Sequence, residues 1–381
     1  MDIKALQDPN LGHDPLVEYP WCTQIDKLLN WAKNQDTNTK CFIFDLVMSL
    51  AFVDATSGLE KYLEFCPNSP PPFNHHLGFV NLCSPCFESK NIWVYQKAAK
   101  PQSGALGKLS SEIILRFVKI FFSQLKSVKA IGGTEYADAL LRHQDGFFIL
   151  AEVKSAPLIT FPVLFSAKTA SGAIHKKVSF TSSQLKEFDS CLYLHQKLIL
   201  PLGKPKGRLW PFKPAVDFFL KKENLPFIEK AVAVWTKAKT AYQKRDKDVP
   251  LYYLANASGS PPQVAKDRDN WPKSESISDS KTSAGMDRTD DIKKGIYQVL
   301  KMGASLKSGD PEYHFKTAII SNLPAYRHGQ EYVVPFNEML WGLEKDLEPI
   351  NDLKVLRSTS LRRVYDYLIT IDEPLLRGIK L

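Results

Sequence analysis

Long apolar runs are missing from this chain of 381 residues. The longest, CFIFDLVMSLAFV at 41–53, is too short to span a bilayer and carries Asp45, which excludes a membrane helix there. The opening MDIKALQDPNLGHDP holds no apolar core of the kind found in secretory signals. Cysteine is scarce: 6 residues are too few for a disulfide framework in so long a chain, and a reducing cytoplasm is the expected setting. No internal repeat is visible, so the chain is not a repeat array. What remains is an ordinary globular composition, 44 % hydrophobic and 24 % charged, long enough for one large domain with insertions or two of average size.

The net charge of +9 is unevenly spread. Lys168 to Arg245 holds 16 Lys and Arg against 5 Asp and Glu, which leaves the rest of the chain at −2. A basic segment in a near-neutral body is the footprint of a polyanion binder, with a solvated lysine-rich surface as the other reading.

Residues 20–65 read as helical, with Thr23 as an N-cap before the stripe Ile25, Leu28, Leu29 and Ala32. CPNSPPPFNHH must be a loop, and NIWVYQK resembles a strand. A helix is expected from about Ser111 to Lys126, with Ile113, Phe117, Phe121 and Leu125 on one face and Glu112 and Arg116 on the other. TEYADALLRHQDGFFILAEVKSAP then places two apolar runs around an Asp-Gly turn, a strong hairpin signal. Helical stretches follow near 214–222 and 227–244, and 256–290 reads as a long polar loop. DDIKKGIYQVLKMGASL is an amphipathic helix, with Ile292, Ile296 and Leu300 on one face and Lys294, Gln298 and Lys301 on another. FKTAIISNLP is a buried strand, and the last 45 residues read as mostly helical.

The hairpin carries the chemistry. Thirteen residues separate Asp138 from Glu152, and a reversal at Gln144–Gly146 brings the two carboxylates toward each other. Such a pair repels unless a proton or a cation lies between them. Oxygen ligands with room for water suit Mg²⁺. Lys154 shares a strand face with Glu152 and is placed to meet a phosphate and the attacking water. A structural ion pair at a strand end is the plainer alternative.

Asp138-x13-Glu152-x-Lys154, preceded by a helix bearing Glu112, resembles the signature of the PD-(D/E)XK nucleases. IKKGIYQVLK and KTAIISNL are similar to the continuation of that core in type II restriction endonucleases. No proline precedes Asp138; Tyr136 and Ala137 stand there instead. The resemblance implies an α/β fold, a restriction-endonuclease-like core with a mixed central sheet flanked by helices. The core would run over 101–325 with a basic DNA-binding insertion at about 163–288. Helical additions would cover 1–100 and 326–381.

The resemblance also implies that Asp138, Glu152 and the Val153 carbonyl hold Mg²⁺, with Glu112 as a further acidic member. Lys154 would position water for in-line attack without a covalent intermediate, leaving a 5′-phosphate. The expected activity is sequence-specific hydrolysis of double-stranded DNA by a homodimer, as in a restriction-modification system. A structure-specific repair or recombination nuclease and a non-catalytic DNA-binding protein are the alternatives. Candidate DNA contacts are Lys176, Lys177, Lys204, Lys206, Arg208 and Arg288, with Trp210 and Phe212 interleaved among the cations. Separately, Cys66, His75, His76, Cys83 and Cys86 offer ligands for tetrahedral zinc, against the alternative of buried reduced thiols.

Overall fold

The computed structural model describes residues 8, 11–56, 61–80, 82–90, 94, 103–132, 137–168, 176–255, 284–287, 289–306, 315–356 and 361–372. Arg288, the NIWVYQK stretch apart from Val94, and nearly all of the polar loop at 256–290 lie outside these residues. The chain folds into two units, each built from separated stretches of sequence. Met1–Val17, Ser110–Ala156 and Ala284–Leu381 form the first, and Glu18–Leu109 with Pro157–Ser283 the second.

A five-stranded mixed sheet organises the first unit, in the order Tyr367–Thr370, Phe315–Ser321, Phe148–Val153, Ala139–His143, Leu125–Ala130. The last three form an antiparallel meander. The predicted hairpin turns at the Asp-Gly pair: Gly146 has φ +90°, a conformation open to glycine, and the His143 amide donates to the Phe147 carbonyl at 2.9 Å. Phe315–Ser321 lies parallel to Phe148–Val153. Parallel neighbours need a crossover, and helix Thr289–Leu306 lies within it. That helix buries Ile292, Ile296, Val299, Met302 and Leu306 in one cluster with Leu140, Leu150, Ile319 and Leu368 of the sheet. Leu300, expected on this stripe, is instead 36 % exposed, because the buried face follows i+3 and i+4 steps through Val299.

The expected helical C-terminal region is corrected. After two short helices, Gly329–Tyr332 and Val334–Asn337, the chain forms strands. Leu347–Ile350 pairs with Leu353–Leu356 around Asn351 and Asp352, both at positive φ. Tyr367–Thr370 joins the main sheet parallel to Phe315–Ser321.

In the second unit a six-stranded antiparallel sheet runs in the order Lys177–Phe180, Lys61–Phe65, His75–Leu77, Val163–Phe165, Ser190–Tyr193, Ile199–Gly203. Residues 61–65, read as helical, are therefore a strand. The separate 1–100 region and 163–288 insertion likewise give way to one unit, since pairings such as Tyr62 with Ser179 join stretches more than a hundred residues apart. Helices Cys22–Ala32, Phe212–Phe219 and Leu225–Lys244 fall close to their expected places. The first begins with Trp21 rather than Thr23 at its N-cap.

Helix Thr37–Ala55 is capped by Asp36, which accepts from the Thr39 amide at 3.1 Å. Its apolar residues surround the axis, so it is buried on nearly every side. Asp45 is 0 % exposed within it and accepts from the Leu158 amide (3.1 Å), the Ile159 amide (2.8 Å) and Trp235 Nε1 (2.6 Å). Burial pushes its pKa up to about 7 against the pull of those three donors.

Candidate active site

Asp138 sits one residue before strand Ala139–His143. Its amide donates to the carbonyl of Ala151, the residue with which Ala139 pairs, at 3.0 Å, so Asp138 is held at the edge of the ladder next to Glu152. Glu152 and Lys154, two residues apart along the strand, lie on one side of it, and the Asp138 carboxylate interacts with both. Asp138 Oδ2 accepts from the Val153 amide at 2.9 Å, which fixes the carboxylate against the neighbouring strand. Lys154 Nζ lies 2.5 Å from Glu152 Oε1. The Glu152 and Asp138 carboxyls also meet each other directly, within hydrogen-bond reach.

The electrostatics express the crowding. Burial, and then the charge of Asp138, push Glu152 up to about 7 despite the ammonium beside it. For Lys154, burial pulls the pKa down, but the carboxylates of Glu152, Asp138 and Asp291 outweigh it and hold the amine above its ordinary value. Asp291, in the first turn of helix Thr289–Leu306, is a member outside the motif read from the sequence. The same helix passes close over the lysine, since a Cβ on Gly295 would stand 3.7 Å from Lys154 Cγ.

The strand end is held from behind. The Lys154 amide donates to the Ile320 carbonyl at 2.9 Å. Asn322 imitates a further rung of the ladder: its Oδ1 accepts from the Ala156 amide (3.1 Å) and its Nδ2 donates to the Ala156 carbonyl (2.8 Å). Ser110 Oγ, on helix Ser103–Phe121, bonds Ser155 through the carbonyl (2.8 Å) and Oγ (2.7 Å).

Glu112 is not gathered into the cluster by any of these bonds. It is buried, its Oε1 lies 2.6 Å from His13 Nε2, and its Oε2 accepts from the Leu16 amide at 2.8 Å. Arg116, read onto the same helix face, donates to the Pro15 carbonyl at 3.3 Å. Val153 is buried between Glu152 and Lys154, and its amide is the group that holds Asp138. On the crossover helix, Lys294 and Lys301 are exposed and Gln298 is half-buried.

Apart from Arg288, which lies outside the described residues, the candidate DNA contacts belong to the second unit. Lys176 and Lys177 are exposed at the start of the strand Lys177–Phe180, which lies at one end of the six-strand order. Lys204, Lys206, Arg208 and Lys213 line an open recess of about 320 Å³ beside Trp210. The Trp210 indole N–H is buried there with no acceptor among the described residues. Lys204 has Glu187 at 3.8 Å, and Lys213 pairs with Asp217.

Oxygen donors in this arrangement fit a hard divalent cation: two carboxyls brought together, where a cation would relieve their mutual repulsion, and an ammonium alongside. Among the described residues, no helix is long and apolar enough to cross a membrane. Comparison with known proteins finds no matching family model, no matching curated protein and no matching solved structure.

Proposed function

We propose that this protein is a Mg²⁺-dependent endonuclease of the PD-(D/E)XK type, cutting double-stranded DNA at a short specific sequence as type II restriction enzymes do. One observation carries the reading: Asp138, Glu152 and Lys154 converge at the end of a buried strand hairpin. A plain ion pair does not require the second carboxylate, which raises the cost of ionising Glu152. The order of elements also supports it, with helix Ser103–Phe121, a three-strand meander, a crossover helix and a parallel strand following in turn.

The Asp138 and Glu152 carboxylates would hold Mg²⁺, with the Val153 carbonyl a further ligand from the same strand as Glu152. Bound there, the ion supplies Lewis-acid stabilisation of charge developing on the phosphoryl oxygens. Lys154 Nζ, kept charged by three carboxylates, binds the scissile phosphate and orients water for in-line attack. Hydrolysis by the oriented water is direct, without a covalent intermediate, and leaves a 5′-phosphate. The cationic recess by Trp210 supplies phosphate contacts, and a palindromic target would call for a homodimer.

Digestion of one plasmid with Mg²⁺ tests the reading. Discrete fragments from wild type, absent with Asp138→Ala, support it. Smearing or junction-dependent nicking would favour a repair nuclease. DNA retention without scission in any divalent metal would reduce the protein to a binding module.

A further inference from the structure

Away from the acidic cluster, three thiols of the second unit converge. Cys66 follows strand Lys61–Phe65, and its amide donates to the Asn74 carbonyl at 2.9 Å. Cys83 immediately precedes helix Ser84–Lys90 and Cys86 lies in its first turn, so the CSPC spacing turns both sulfurs to one side. Cys66 Sγ stands 3.5 Å from Cys83 Sγ and 3.4 Å from Cys86 Sγ, and all three lie within 4.8 Å of one another. Each is at most 1 % exposed.

Packing alone accounts poorly for this grouping. A buried thiol behaves as a small apolar side chain and has no need of two others at such range. A disulfide would use two sulfurs and strand the third. Sulfur ligands at 2.3 Å around tetrahedral zinc stand about 3.8 Å apart, close to the separations seen here. Asn68 Nδ2 also donates to Cys86 Sγ at 3.2 Å, the kind of amide contact that steadies a metal-bound thiolate.

We infer that Cys66, Cys83 and Cys86 form a structural zinc site. The two histidines considered with them differ in direction. His75 stands edge-on to Phe65 and Phe180, with centroids 5.7 and 5.4 Å away, and its Nδ1 meets Asn74 Oδ1 at 2.8 Å. His76 pairs across the ladder with Glu64, and so shares the sheet face that Cys66, two residues beyond Glu64, continues. It is 1 % exposed and takes the fourth position by a change of side-chain rotamer, since its ring lies outside the group of sulfurs as it stands. Zinc would then staple the 66–86 excursion to the sheet. This assignment is independent of the nuclease reading.

The test is metal analysis of the full-length protein purified without chelators, followed by cobalt titration of the reduced chain. About one zinc per chain is expected, together with tetrahedral cobalt bands and sulfur-to-cobalt charge transfer. Cys66→Ser and Cys86→Ser should abolish both, while Cys191→Ser, a buried thiol outside the group, should retain them. Wild type that carries no zinc and gives no cobalt bands overturns the site, and does so even if the serine variants fail to fold. Iron with acid-labile sulfide, or a native disulfide among the three cysteines, would overturn it equally. Unchanged zinc affinity in His76→Ala would overturn the fourth ligand.

Discussion

Replacing Glu152 with glutamine should stabilise the protein in the absence of divalent metal and abolish the proposed cleavage in its presence. Glu152 is 6 % exposed and its pKa rises from 4.5 to about 7 through burial and Asp138. At roughly 1.4 kcal/mol per unit, that rise costs about 3 kcal/mol of folding stability once the group is ionised. The sign follows from proton uptake. Between 4.5 and about 7 the folded state holds more protons than the unfolded one, so stability falls as pH rises through that window.

Glu152→Gln removes this penalty but also removes a partner of Lys154, which keeps the charges of Asp138 and Asp291. The net gain expected in EDTA at about pH 8 is roughly 1–2 kcal/mol, shrinking toward zero near pH 5. Mg²⁺ should act oppositely, stabilising wild type by about 3 kcal/mol at a hundredfold excess over Kd and leaving the variant unmoved. Urea titrations at both pH values, with EDTA and with Mg²⁺, measure all four terms. A loss of more than about 1 kcal/mol at pH 8 in EDTA would show that the carboxylate serves the fold rather than an ion.

Lys154→Met should lower plasmid cleavage by several orders of magnitude while gel-shift affinity in Ca²⁺ stays near wild type; intact cleavage would remove the amine from the reaction. Asp45→Ala leaves two backbone amides and the Trp235 indole without their buried acceptor and should cost about 3–5 kcal/mol in urea unfolding. Asp45→Asn keeps the volume and should cost about half as much, and a neutral result for both would mean that the donors find new partners. Lys206→Ala combined with Arg208→Ala should reduce the slope of log K against log salt for DNA binding by about 2, and an unchanged slope would place the phosphates elsewhere.

Local signals carried the hairpin and its acidic pair. An Asp-Gly turn, alternation along a strand and a Glu-x-Lys step are all read within about twenty residues, and the structure brings Asp138, Glu152 and Lys154 together. Glu112 was misjudged because its partners, His13 and Leu16, lie about a hundred residues upstream, whereas Arg116 is one helical turn away. The C-terminal strands were missed because each is short and their order depends on distant neighbours. Asn351-Asp352, with both residues at positive φ, was the hairpin signal available there. Asp291 could have been found by asking which end of the crossover helix lies over the last residues of the Glu152 strand.

The interleaving of the two units bears on how the polypeptide acquires its working form. Synthesis passes from one unit to the other four times, after Val17, Leu109, Ala156 and Ser283. The hairpin with Asp138 and Glu152 therefore emerges from the ribosome well before Phe315–Ser321, the strand that flanks it and whose Ile320 carbonyl receives the Lys154 amide. A nascent chain shorter than about 320 residues would carry all three reactive groups yet lack the neighbour that aligns them. Under the proposed function such half-made molecules would be inactive, and neither unit could be cut out as a continuous fragment for separate expression.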